Sequence, residues 1–435
     1  MEGVIFRYRR GRSNGGENGK TLGSAENLLF AAATAAVVYF TADILLERVL
    51  PGPQAEQKAA AVEESVPETV VSPETDTASG SGEEAVSENA SFPETGYVYS
   101  VLEEEDRKLY EELYMAVTDF SPSASLSVQD PDRIERIFAC MLADHPEIFY
   151  VDGYTLTTRS LGAEIQGVSF QAEYTFSQQQ VQERQLSVKK AADETLSAVT
   201  EDMDDYEKLK LLYESVAEGT EYDLEAPENQ TICSVFLYGR SVCQGYAKAF
   251  EYLCLRAGIP AVLVTGTVEA GTPHAWTAVR CNGEWYYADP AWGDVVYQTE
   301  DAQEAENGEE TAARMEQVDY DYFLVTTEQI SSTHEADDIF PLPECTSMTD
   351  NYYVREGLYF TRADIGQAAE ALAAAGQEGR RSVTLKCADR DVYEALYESL
   401  ITRQEIFQYL QADAVSFAAS EERLSLTFFL ADPEL

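Results

Sequence analysis

The sequence predicts an α+β protein of more than one folded unit, and three observations carry that expectation. Tyr206, Leu209, Tyr213 and Val216 recur at helical spacing, and Tyr246, Phe250, Leu253 and Ala257 do so again. Val168, Phe170, Ala172, Tyr174 and Phe176 alternate strictly, as a half-buried strand does. Asn282-Gly283 separates the strand-like segments HAWTAVR and EWYYADP, the signal for a two-residue hairpin. With 435 residues and a 45% hydrophobic composition, the chain can build two or three cores.

The N-terminal part reads differently. Residues 1–24 form a basic arm in which Arg7, Arg9, Arg10, Arg12 and Lys20 outweigh Glu2 and Glu17, a net +3. An apolar run from Leu28 to Leu46, broken only by Asp43, is close to the length that crosses about 30 Å of hydrocarbon as a helix. Residues 25–48 are therefore expected to be an uncleaved transmembrane signal anchor. The positive-inside rule puts the arm in the cytoplasm and the rest of the chain outside the cell membrane. Residues 49–95, rich in Pro, Glu, Ser, Thr and Ala, cannot repay the entropy of ordering and read as a disordered acidic stalk.

Three units are expected beyond the stalk. Residues 96–200 make an N-terminal α+β module, with a helix around Tyr110 to Val117 and another opened by Asp130-Pro131 before Ile134, Ile137, Phe138, Met141 and Leu142. Residues 201–348 form the central domain, interrupted by an acidic insert at Thr299 to Glu310. Residues 349–435 make a small α/β unit with strands VTLKC and LSLTFFL and helices around Ile365 to Ala374 and Val392 to Leu400.

Acidic side chains number 78 against 30 basic ones, a formal net charge of −48. A surface of that sign repels phosphate, so nucleic acid is excluded as a general partner. The 7 cysteines contain no C-x-x-C pair, there are only 3 histidines, and no EF-hand-like loop is present, so no metal or cofactor is expected.

Cys243 begins the helix that carries Tyr246 and Phe250, and Gly258 is placed to end it. At a helix N-terminus the free amide hydrogens and partial positive charge favour a thiolate. A buried, inert cysteine is the plain alternative. The hairpin register supplies partners. Opposing Cys281 to Glu284 puts Asp289 opposite Trp276, and His274 lies two residues before Trp276 on the same face. A carboxylate can thus hold one imidazole nitrogen and leave the other for the cysteine, the logic of a thiol acyl-transfer site.

Through VCQGYAKAF, HAWTAVRCNGEWYYADPAWGD and the trailing YDYFLVTTEQI, roughly Tyr206 to Ile330, the chain resembles the transglutaminase-like superfamily as found in bacterial membrane-anchored proteins. The resemblance implies a papain-like α+β core with the thiol helix packed on an antiparallel sheet. It also implies Cys243 as nucleophile, His274 as general base and acid, and Asp289 as the residue orienting it. The cysteine's own amide and a further donor would hold the oxyanion, with Gln230 and Tyr238 as candidates outside the catalytic set. Trp276 and Trp292 are expected to wall the site, and His334 to be a surface or capping residue. The substrate would be a protein or peptide outside the membrane, and the acceptor, water or an amine, stays open. So does the alternative of an inactive surface module that binds wall polymer, peptide or protein.

Overall fold

The computed structural model describes residues 2–9, 96–161, 164–299, 314–409 and 414–430. The expected anchor at 25–48, the stalk and the acidic insert beyond Thr299 lie outside the described residues. Among the described residues, no helix is long and apolar enough to cross a membrane.

The centre is a five-stranded sheet in the order 323–325, 284–288, 272–281, 261–268 and 335–336. Every neighbouring pair is antiparallel. The turn at Asn282 (φ 49°) and Gly283 (φ 97°) places both central residues at positive φ, as a type I′ hairpin demands. It locks the expected register, with Cys281 opposite Glu284 and Thr277 opposite Ala288.

The helix Cys243–Arg256 ends at Gly258, which adopts φ 79°. There the amides of Gly258 and Ile259 reach back to the carbonyls of Leu255 (3.1 Å) and Cys254 (2.9 Å), closing the helix in a Schellman arrangement. The helix packs on the helix Asp205–Gly219 and on the strands 261–268 and 272–281. Thr277 fixes one point of that contact by donating to the Ala247 carbonyl at 3.2 Å.

Alternation along the hairpin feeds two apolar clusters. Val279, Cys281 and Tyr286 join Tyr213, Tyr246 and Phe250 together with Leu372, Leu385 and Phe428 of the C-terminal part. Trp276, Ala278 and Tyr287 join Leu109, Ile137 and Phe170 of the N-terminal part. The sheet is thus buried on both faces, and neither cluster stops at residue 200 or 348.

In the N-terminal part the helices Glu104–Thr118 and Pro131–Asp144 cover a three-stranded sheet, and Asp130 caps the second helix by accepting the Asp132 amide at 3.2 Å. A further helix, Gln178–Leu196, opens with a capping box between Ser177 and Gln180. It buries only Val181, Val188 and Ala192, which is why its apolar spacing is so faint in the sequence.

The C-terminal part carries the expected strands Ser382–Cys387 and Ser425–Phe429 and the helices Ile365–Gln377 and Arg390–Tyr397. Its seven-stranded sheet also takes in Glu2–Arg9, parallel to 294–299 and antiparallel to 414–420. This differs from the reading of residues 1–24 as an arm on the far side of a membrane. A bilayer crossed at 25–48 would separate residues 2–9 from 414–417, so the two arrangements exclude one another. All 7 cysteines are buried free thiols.

Candidate functional site

Cys243 is the first residue of its helix and follows extended Val242, which makes no side-chain cap. The helix end therefore keeps its first amides for other partners. Gly245 lets this turn settle on the Ser234 and Ser241 hydroxyls, which are 2.6 Å apart. A Cβ at Gly245 would come within 1.9 Å of Ser241 Oγ. The thiol residue ends up 6% exposed, close to the surface but covered.

His274 lies near the start of the strand Thr272–Cys281, opposite Gly266. Gly266 has no room for a side chain, because a Cβ there would meet Glu335 O at 2.1 Å and Trp276 at 2.8 Å. Asp289 follows directly on the strand Glu284–Ala288. Its Oδ2 lies 2.7 Å from His274 Nε2, the contact that the hairpin register predicts. Its Oδ1 accepts the amides of Ala291 (3.0 Å) and Trp292 (3.3 Å), which restrain that side of the carboxylate. Behind it, Tyr213 donates its hydroxyl to the Asp289 carbonyl at 3.0 Å.

The charges follow from this arrangement. Burial works against a charged His274, but the Asp289 carboxylate and the neighbouring Cys243 thiol outweigh it and push the imidazole up to about 10. Burial likewise opposes ionisation of Asp289, yet His274 and then His334 bring it down to about 2. Because Asp289 occupies Nε2, Nδ1 is the ring nitrogen left for the Cys243 thiol. The arrangement can move a proton between sulfur and imidazole while the imidazole stays oriented.

Two residues escaped the sequence reading. Tyr222 pairs with Ser241 in a short parallel ladder just ahead of the cysteine. Burial and the neighbouring Cys243 thiol push its phenol up, although the residue is 49% exposed overall. His334 corrects the expectation of a surface or capping role. It is 4% exposed, and its Nε2 lies 3.2 Å from the same Asp289 Oδ2 that His274 engages.

Trp276 and Trp292 do flank His274, with ring centroids 6.2 and 5.6 Å away. Of the two oxyanion candidates, Tyr238 faces outward, bonded to Glu228 (3.2 Å) and Arg184 (3.4 Å), while Gln230 is half-buried in the turn before Ser234. Among the described residues, His274, Asp289 and His334 are the group whose ligand atoms, all within 4.8 Å of one another, could hold a metal ion.

Residues 191–290 match the model of the Transglutaminase-like superfamily. The kyphoscoliosis peptidase of Mus musculus is 26% identical over 132 residues, covering 26% of this chain and 20% of that protein. The kyphoscoliosis peptidase of Homo sapiens is 25% identical over 132 residues with the same shares. The match thus spans about a fifth of the length of these curated relatives. Among solved structures, the crystal structure of a TGase overlays with a TM-score of 0.24 at 15% identity, over 32% of this chain and 44% of that one. The periplasmic domain of TgpA from Pseudomonas aeruginosa, bound to ethylmercury, gives 0.20 at 19%, over 29% of this chain and 55% of that one.

Proposed function

We propose that this transglutaminase-like chain is a thiol enzyme that opens amides of protein or peptide substrates through a thioester on Cys243. With a proton already held at His274 Nδ1, the Cys243 sulfur attacks the carboxamide carbon as a thiolate. His274 then hands that proton to the leaving nitrogen as the C–N bond breaks, releasing ammonia or an amine. Asp289 holds the imidazole throughout. The backbone N–H of Cys243 and the hydroxyl of Tyr222 are the donors for the oxyanion. Water then returns the acid, or an amine takes the acyl group. The observation that carries this reading is the single imidazole held by Asp289 at 2.7 Å beside the Cys243 thiol at its helix start.

The test is ammonia release from a glutamine-containing peptide. The wild type should release it and Cys243→Ala should not. Equal release by both proteins contradicts the reading. A wild type that releases none yet retains the peptide is a binding module instead.

The apolar run Leu28 to Leu46 behind the basic arm supports an anchor that holds the enzyme on the outer face of a cell membrane, with its substrates there. That topology requires Glu2–Arg9 to lie away from 414–417. Because the native thiols are buried, a Tyr8→Cys variant can be labelled selectively in intact cells and in inverted vesicles. Labelling only from the cytoplasmic side supports the anchor. Protection in both, from pairing with Val415, contradicts it.

A further inference from the structure

We propose that His334 is a positioning residue of this site, a second imidazole that clamps Asp289 so that the carboxylate presents one fixed oxygen to His274. The proposal rests on the thiol-enzyme reading of Cys243, His274 and Asp289. His334 reaches the site through long-range structure. It follows the short helix Thr327–Ile330, its amide bonds the Ile330 carbonyl at 2.9 Å, and the next two residues pair with Thr267 and Gly266. Gly266 also faces His274 from its other side, so one bare glycine brings the two histidines to the same carboxylate.

The hydrogen bonds set the proton positions. Thr333 Oγ1 lies 2.8 Å from His334 Nδ1, and Asp289 Oδ2 lies 3.2 Å from Nε2. A carboxylate only accepts, so Nε2 carries the hydrogen, while the Thr333 hydroxyl, which also donates to the Ile330 carbonyl at 3.4 Å, holds the ring at Nδ1. Its ring is held by Trp292 (4.6 Å), Trp276 (4.9 Å) and Tyr322 (5.5 Å). The titratable groups facing it are Asp289, His274 and the Tyr322 phenol.

Two consequences separate this role from packing. The clamp keeps Oδ2 aimed along the His274 Nε2 direction, which matters when the imidazole must turn from base to acid without losing its orientation. It also draws charge from the oxygen that stabilises protonated His274. Removing the donor should therefore disorder the carboxylate and raise the His274 midpoint at once, whereas replacing a His334 that only filled space would change neither.

The experiment compares His334→Phe and His334→Gln in the full chain labelled with 15N-histidine. The Phe variant keeps the ring volume without the donor, and Gln restores an N–H. In the Phe variant the His274 titration midpoint should rise by roughly half a unit or more, because a carboxylate with one donor fewer favours the imidazolium. Its kcat should fall about 10- to 100-fold with KM little changed, as for other residues that orient a reacting group. The Gln variant should return to within about threefold of wild type. A folded Phe variant with an unchanged midpoint and unchanged kcat overturns the proposal.

Should the Phe variant not fold, Thr333→Val removes the hydroxyl that holds His334 Nδ1 and keeps the ring. A lower kcat at constant KM supports the clamp, and wild-type kinetics overturn it. If the wild type turns nothing over, the thiol-enzyme reading fails, while the His274 midpoint still decides whether His334 acts on Asp289.

Discussion

Two buried carboxylate sites lie on either side of one tyrosine, and they are balanced in opposite ways. Asp289 is met by His274 and His334, groups that can give up their proton. Asp319 and Asp321 are met by Arg423 at 2.7 Å and Lys386 at 2.8 Å, both supplied by the C-terminal part. Tyr213 shares its hydroxyl between the carbonyls of Asp289 and Asp319, each at 3.0 Å. Burial and the neighbouring Asp321 push Asp319 up, whereas Lys386 and Arg423 overcome burial to hold Asp321 down. The difference teaches which site can do chemistry. A permanently charged arginine or lysine fastens a carboxylate, and the second site is a staple between the C-terminal part and the segment behind Asp289. An imidazole fastens a carboxylate and still exchanges a proton.

The comparison can be broken at either end. At the titratable end, Asp289→Asn keeps an acceptor for the Ala291 and Trp292 amides but loses the charge that orients His274. Turnover should fall on the order of 10⁴-fold while the fold survives, read by kcat and thermal melting together. At the fixed end, Arg423→Met strips a cation from a buried carboxylate pair and should lower unfolding free energy by about 3 kcal/mol in denaturant titration, with kcat per folded molecule unchanged. If the two variants exchanged phenotypes, the comparison would be wrong. Tyr222→Phe sharpens it next, because losing one oxyanion donor should slow thioester formation on the order of 10²-fold with stability nearly constant.

The smallest effect is also the most diagnostic. His274 is raised from 6.5 to about 10, so the stability its pairing adds is complete below 6.5 and declines as pH rises toward about 10. Asp289 is lowered from 3.8 to about 2, so the same pairing is lost as pH falls from 3.8 toward about 2. The stability difference between wild type and Asp289→Asn should therefore be flat between about 4 and 6.5 and shrink on both sides. The contribution of Lys386, which holds Asp321 down, should show no decline near neutrality.

How much of this was legible follows from what each residue depends on. The His274–Asp289 contact was readable because Asn282-Gly283 fixes a register, and a register fixes which side chains share a face. The Cys243 helix was readable from its own apolar spacing and from Gly258 at its end. His334 was not, since it arrives through an edge strand of two residues paired far from it in sequence, with no periodicity to mark it. Tyr222 likewise sits in a two-residue ladder whose partner is defined only once the chain has folded. The staple was invisible for the same reason, because Arg423 and Asp319 are 104 residues apart.

The central claim is that Cys243, with His274 and Asp289 behind it, forms a thioester. The measurement that tests it most directly is intact-protein mass spectrometry after brief exposure to a glutamine-containing peptide, quenched in acid and followed by mapping of the modified residue. The account predicts an acyl adduct on Cys243 that appears with loss of ammonia, disappears on adding an amine or on waiting, and is absent from Cys243→Ala and nearly absent from Asp289→Asn. An adduct on another cysteine, or one that forms equally in the Asp289→Asn protein, would contradict it.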